Sequence, residues 1–204
     1  SLWSATVGTA SIPPLTVGKL VLSGVGLLTA NPAGHQRFIV LDLRLPRIAL
    51  GATVGFALAA AGTVMQGFFR NPMADPSIVG VSSGAAAGAV VLIVLPVSVP
   101  FGVPLAALLG GLVAAFAVYL VATEGGTTPV ATLLLSGVAV QTFLGAVVSL
   151  LLVRSDAHDL RRAVVWLMGS LAGSDWHEVA VVAPVVLVGV GILYGFGRDL
   201  NLLL

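Results

Sequence analysis

The chain alternates long charge-free runs with short polar corners. Ile48 to Phe69 gives 22 residues without a charge, and Pro76 to Thr123 gives 48. A bilayer core of about 30 Å takes about 20 apolar residues at about 1.5 Å each, so the first run makes one span and the second makes two. Their divider is PVSVPFGVP, where Pro96, Pro100 and Pro104 crowd too closely for a single helix; spans near 77–95 and 104–123 follow. Glu124-Gly-Gly-Thr-Thr-Pro129 reads as a turn, 130–153 as the fourth span, and Val179 to Gly197, with Pro184 inside it, as the fifth. Two apolar pieces are too short to cross: LVLSGVGLL (20–28), which ends near Asn31-Pro32, and AVVWLMGSLAG (163–173). Each reads as an interfacial or re-entrant segment, and RSDAHDLRR before the second reads as a polar loop. The pattern predicts an all-α, polytopic membrane helix bundle with about five transmembrane helices. Residues 1–45 read as a segment outside the bundle, and 46–204 as the helical bundle of one transmembrane domain.

The corner between the first two spans, QGFFRNPMADPSIVGVSSG (66–84), holds Arg70, Asn71, Pro72, Asp75 and Pro76. Asn71 and Asp75 are each predicted to cap a helix start, with Pro72 and Pro76 at the first helical position. Such caps satisfy backbone N–H groups that lipid cannot. Small residues recur four apart at Gly51/Gly55, Gly84/Gly88 and Gly191/Gly195, a spacing that lets helix backbones approach closely.

Composition strengthens this reading. The 204 residues are 58% hydrophobic and 8% charged, with 25 Gly and 11 Pro. A soluble domain carries about 25% charged residues, so a set of water-soluble core helices does not fit. A formal charge of +1 argues against a nucleic-acid partner. The absence of cysteine excludes a disulfide scaffold and a thiolate metal site. His35, His158 and His177 lack zinc-site spacing, and Asp156, His158 and Asp159 sit among arginines as a solvated loop; no metal or cofactor is expected. Trp166 and Trp176 read as belt aromatics. The start has no basic n-region and no initiator Met, and the end stops on RDLNLLL, which predicts a piece of a longer membrane protein.

Residues 44–89, RLPRIALGATVGFALAAAGTVMQGFFRNPMADPSIVGVSSGAAAGAV, resemble the signature of the FecCD-type permeases, the membrane subunits of ABC importers for iron-siderophores, haem and cobalamin. The matching elements are Arg-Leu-Pro-Arg, the Gly/Ala-rich helix ending in Met65-Gln66-Gly67, Arg70-Asn-Pro-x-Ala-Asp-Pro and Gly80-Val-Ser-Ser-Gly84. LLLSGVAVQ (133–141) and VVWLMGSLAGSDW (164–176) are similar to later blocks. The resemblance implies a permease of about ten helices, of which this chain holds roughly helices 2–6. It works as a homodimer or pseudo-dimer with two ATP-binding subunits and an extracytoplasmic substrate-binding protein, in the cell membrane of a prokaryote. The resemblance also implies that residues 1–45 are external or interfacial and that 46–204 are part of a single permease domain. No G-x-x-x-x-G-K-[ST] phosphate loop is present, so the chain is expected to be a transport subunit and not an ATPase.

Threading five spans puts Lys19, Arg37, Arg44, Arg47, Arg154, Arg161 and Arg162 on one side, with Arg70 and Arg198 on the other. The positive-inside rule makes the first side cytoplasmic; the resemblance implies the reverse. Asp42, Asp156, Asp159, Asp175 and Glu178 partly neutralise that basic side. The resemblance assigns Arg44 and Arg47 to docking the binding protein, and Arg198, Asp199 and Asn201 to the ATPase-coupling end. It also makes 130–153 line the channel. Thr128, Thr132 and Ser136 are the gate candidates, and Gln141 and Thr142 are further polar lining. Hydroxyl bonds to the preceding-turn carbonyl are the plainer role for such residues. The alternative class is an ion-gradient-driven secondary transporter, which needs intramembrane ionisable residues; none falls inside a span. A non-transporting membrane scaffold is a third class.

Overall fold

The computed structural model describes residues 12–24, 34–95 and 99–197. Asn31-Pro32, Pro96 and the expected coupling end at Arg198, Asp199 and Asn201 lie outside them. The helices are α1 (Pro14–Gly24), α2 (Gly34–Phe38), α3 (Leu45–Phe69), α4 (Val81–Val94), α5 (Gly102–Ala122), α6 (Val130–Arg154), α7 (Ala157–Met168) and α8 (Trp176–Gly195). A π-helical stretch, Ile39–Arg44, joins α2 to α3 without a break, and a 3-10 turn, Pro76–Val79, precedes α4. Among the described residues the only β feature is an isolated bridge between Glu124 and Thr127, which closes the α5–α6 turn.

Among the described residues four helical stretches are long and apolar enough to cross a membrane: Gly34–Phe69, Gly102–Ala122, Val130–Arg154 and Trp176–Gly195. The expected span at 77–95 is shorter than predicted. Its α-helix has 14 residues, about 21 Å, because Gly80 adopts a left-handed φ of 79° and ends the 3-10 turn before α4 begins. The expected loop RSDAHDLRR is also corrected. From Ala157 it is helical and continues to Met168, since the Asp156 carboxylate accepts from the backbone N–H groups of His158 and Asp159. The piece at 163–173 is therefore the end of an amphipathic helix and a turn.

The described chain forms two compact units, residues 1–64 with 171–204 and residues 65–170. In the first, Ile12, Val17, Leu20 and Val40 make a small buried core with Ile39, Leu41 and Leu45 packed on it. The π turn has a chemical cause. Pro46 has no N–H to give, and the Leu45 N–H bonds back to Val40 O. The Leu41 carbonyl is thereby left without an intrahelical donor. The indole Nε1 of Trp176 donates to it at 2.9 Å. Asp175 caps α8 by accepting from the Glu178 N–H at 2.8 Å, which sets the indole at the first helical residue.

In the second unit α4 and α5 pack backbone against backbone. A Cβ on Gly84 or Gly110 would strike the carbonyl of the other, and one on Gly88 would strike the Ala106 carbonyl. Only the Gly84/Gly88 pair among the three small-residue pairs makes such a contact. Gly51 would just touch Leu171, at 3.4 Å, and Gly55, Gly191 and Gly195 meet nothing within 4 Å. Val118, Ala122 and Leu133 are buried between α5 and α6, with Phe69, Val79 and Val140 against them.

The corner 70–80 lies on this second unit. α3 stops in a Schellman geometry: Arg70 N–H bonds to Gly67 O and Asn71 N–H to Gln66 O, with Arg70 itself left-handed at φ 47°. Asn71 does not cap a helix as predicted; its side chain accepts from Met73 N–H in a local turn. Asp75 does cap, but a 3-10 turn, with Pro76 at its first position. That turn nests on α6 at Gly137, where any Cβ would meet the Ile78 carbonyl.

Two outcomes follow from this packing. Gly88→Ala, measured by thermal unfolding of the detergent-purified protein, is expected to cost about 1–3 kcal/mol through overpacking. Gly191→Ala is expected to be neutral or to add up to about 1 kcal/mol of helix propensity. At the corner, the hydroxyl and N–H of Ser77 hold the Asp75 carboxyl below its ordinary value. A lowered value means that ionisation favours the folded turn above the unfolded-state pKa, and that this advantage is lost as pH falls through the folded-state value. Hydrogen-exchange protection of the Ser77 amide should therefore drop below about pH 4, while an Asp75→Asn variant should show a flat profile across that range.

Candidate functional site

Among the described residues α6 buries one face and leaves the opposite one uncovered. On α6 the buried residues Leu133, Ser136 and Gly137 point to α4, α5 and the 3-10 turn, and Val148, Leu151 and Leu152 pack near Val90, Ile93 and Ala163. At about 100° per residue, the opposite face carries Thr132, Leu135, Ala139, Thr142, Ala146 and Ser149. All six are exposed. From Thr132 to Ser149 this is a stripe of hydroxyl and small side chains interrupted by Leu135, and exposed Leu150 and Val153 continue the same face toward the end of the helix.

The expected site residues divide on this geometry. Thr132 and Thr142 stand on the exposed stripe. The Thr142 hydroxyl donates to the Val138 carbonyl at 2.8 Å, which satisfies it inside the helix. Thr128 precedes α6, and its hydroxyl pairs with that of Thr123 at 2.7 Å, pinning the turn. Ser136 is buried, at 6% exposure, on the packed face, so it does not share a surface with Thr132. Gln141 is exposed but lies one residue, about 100°, round from Thr142. The sequence reading missed Ala139 and Ala146 on the stripe. Ala139 lies seven residues after Thr132 and three before Thr142, and Ala146 four after Thr142 and three before Ser149, and that helical spacing was the available signal.

Arg44 ends the π stretch and Arg47 occupies the first turn of α3. Arg47 is exposed and its Nε donates to the Leu171 carbonyl at 3.0 Å. One of its five donors is thus committed to the chain itself. Arg44 is half-buried and also engaged.

A third feature lies in the second unit. An open cavity of about 810 Å³ is lined by Ile93 of α4, Val103 of α5 and His158, Arg161, Arg162 and Trp166 of α7. Among the described residues no cluster of three metal-ligating side chains occurs.

Comparison with known proteins fits this architecture. The FecCD transport family matches residues 1–204. The chain is 54% identical to the cobalamin import system permease protein BtuC of Halobacterium salinarum, over 98% of this chain and 55% of that protein. It is 39% identical to the hemin transport system permease protein HmuU of Yersinia pestis, over 92% and 57%. It is 36% identical to the Fe(3+)-citrate import system permease protein YfmD of Bacillus subtilis, over 90% and 54%. The chain thus spans little more than half the length of these relatives. It superimposes on an inward-facing metal-chelate type ABC transporter with a TM-score of 0.77 at 31% identity, covering 99% of this chain and 63% of that one. With an unbroken match from first residue to last and the same helical architecture, the chain belongs to the FecCD transport family.

Proposed function

We propose that this chain is the larger part of the transmembrane permease of an ATP-driven importer in a prokaryotic cell membrane. Its cargo is of the cobalamin, haem or iron-chelate class, and it moves by alternating access. The observation that carries this reading is the 54% identity to a cobalamin importer permease along almost the whole chain. It makes a corrinoid the first cargo to test. ATP is hydrolysed by two partner subunits, a second permease copy completes the pathway, and an extracytoplasmic binding protein delivers the cargo.

The geometry of α6 supports the same reading. A bulky, mostly apolar solute needs a wide wall that holds it weakly. Ala139, Ala146 and the hydroxyls of Thr132, Thr142 and Ser149 give such a wall on one uncovered face. Thr132 and Thr142 remain the lining candidates, Thr128 steadies the turn below them, and Ser136 is a packing residue. The ion-gradient alternative lacks support: α5 and α6 carry no ionisable residue before the terminal Arg154 except the phenol of Tyr119, so no coupling group lines them.

Arg44 and Arg47 are assigned to docking the binding protein. Charges at such a rim steer encounter and set orientation. The Arg47–Leu171 hydrogen bond adds a structural duty, so the charge is tested by Arg44→Glu, which leaves that bond in place, and by Arg47→Lys, which keeps the charge without the Nε donor.

The test is uptake of labelled cobalamin into liposomes holding the full-length permease, its ATP-binding subunits and the binding protein. Uptake is expected with ATP inside the nucleotide compartment and absent without it, whatever the ion gradient. Ala139→Trp or Ala146→Trp is expected to cut uptake at least about tenfold, equal to about 1.4 kcal/mol, while Leu112→Trp, on an exposed face of α5, leaves it unchanged. Arg44→Glu is expected to weaken binding-protein association most at low salt, and Arg47→Lys to retain it.

A further inference from the structure

The cavity beside α7 combines apolar and cationic lining. Its floor is apolar, from Ile93 and Val103, and its rim is cationic, from Arg161 and Arg162 with His158 beside them. α7 follows α6, a helix of membrane-crossing length, with only Ser155 and Asp156 between, so it stands at a membrane–water boundary. The helix is held down by Ala163, fully buried with Val90 and Ile93, and by half-buried Trp166. At about 100° per residue, His158, Arg161, Arg162 and Val165 fall on one side of α7. Leu160, Val164 and Leu167 fall on the other and are 39–42% exposed. That division of a short helix is the pattern of a segment lying in the interface plane.

We propose that this cavity holds the phosphate headgroup of an anionic membrane phospholipid. The phosphate sits between the two guanidinium groups and an acyl chain runs over Ile93 and Val103. Arginine suits phosphate because its fork gives parallel, charge-assisted N–H donors. Asp159 lies 3.4 Å from the exposed Arg162, a long pair that offsets part of one guanidinium's charge and leaves Arg161 as the second cation. An apolar floor gives free phosphate nothing further to bind, which favours the lipid as the source. The site does not depend on the cargo or on the transport reading above.

The experiment uses the full-length permease assembled with its ATP-binding subunits in nanodiscs of phosphatidylcholine with or without phosphatidylglycerol. Native mass spectrometry reads the lipid retained after detergent release. Wild type is expected to retain phosphatidylglycerol over phosphatidylcholine by at least about tenfold. Arg161→Gln with Arg162→Gln is expected to lose that preference, Arg161→Lys with Arg162→Lys to keep most of it, and Arg154→Gln to leave it intact. Equal retention in the glutamine double variant overturns the site. Displacement of the lipid by inorganic phosphate alone overturns the lipid as its source. Should the double variant not assemble, wild type decides: loss of the preference between roughly 0.1 M and 1 M salt is expected for a headgroup held by charge, and a salt-independent preference overturns the proposal. A failure of cobalamin uptake leaves these readouts unchanged, so the two readings fall separately.

Discussion

A backbone polar group without a partner is the constraint that most of this structure answers. In hydrocarbon no water repairs such a group, and each costs several kcal/mol. The chain nonetheless places prolines and glycines where helices must start, stop or bend. Pro46 removes a donor, the helix widens to π geometry, and the carbonyl of Leu41 takes its hydrogen bond from Trp176, which lies 135 residues further on. Asp75, Asp156 and Asp175 each supply an acceptor at a helix or turn start. Arg70 closes the end of α3 in a conformation that glycine adopts more easily. The corners are shaped by hydrogen-bond supply before anything else.

Once the backbone is satisfied, packing in the second unit is a matter of what is absent. Gly84, Gly88 and Gly110 let α4 and α5 meet at their main chains, and Gly137 lets the 3-10 turn sit on α6. Hydrophobicity cannot drive this association in lipid, where every side chain is already in an apolar solvent; close contact does. One consequence is that α6 spends its small residues on two faces. One face is buried by the turn and α5, and the other is left open with Ala139, Thr142 and Ala146.

Much of this was legible in the residues. Charge-free runs of the right length located four spans, and the Asn-Pro and Asp-Pro corner marked the reversal between two helices. Burial within a span was not legible. Ser136 and Thr132 are four apart in an apolar sequence, and nothing in their type says which meets a neighbour and which is uncovered, because lipid and protein interior ask for the same side chains. The π turn was hidden for a different reason. Pro46 announces a missing donor, but the group that compensates comes from another part of the chain. α7 was misread because its first turn is hydrophilic. The capping Asp156 and the spacing of Ala163 and Trp166 behind Arg161 and Arg162 were the signs of a helix lying along the surface.

The bond from Trp176 to Leu41, with that from Arg47 to Leu171, ties the turn before α8 to the mouth of α3 at two points. The Trp176 indole supplies the Leu41 carbonyl, and the Leu171 carbonyl accepts from the Ser174 hydroxyl as well as from Arg47. Residues 171–176 and the start of α3 are thus cross-linked by two side chains, one donating in each direction, so that loss of either bond leaves the other in place.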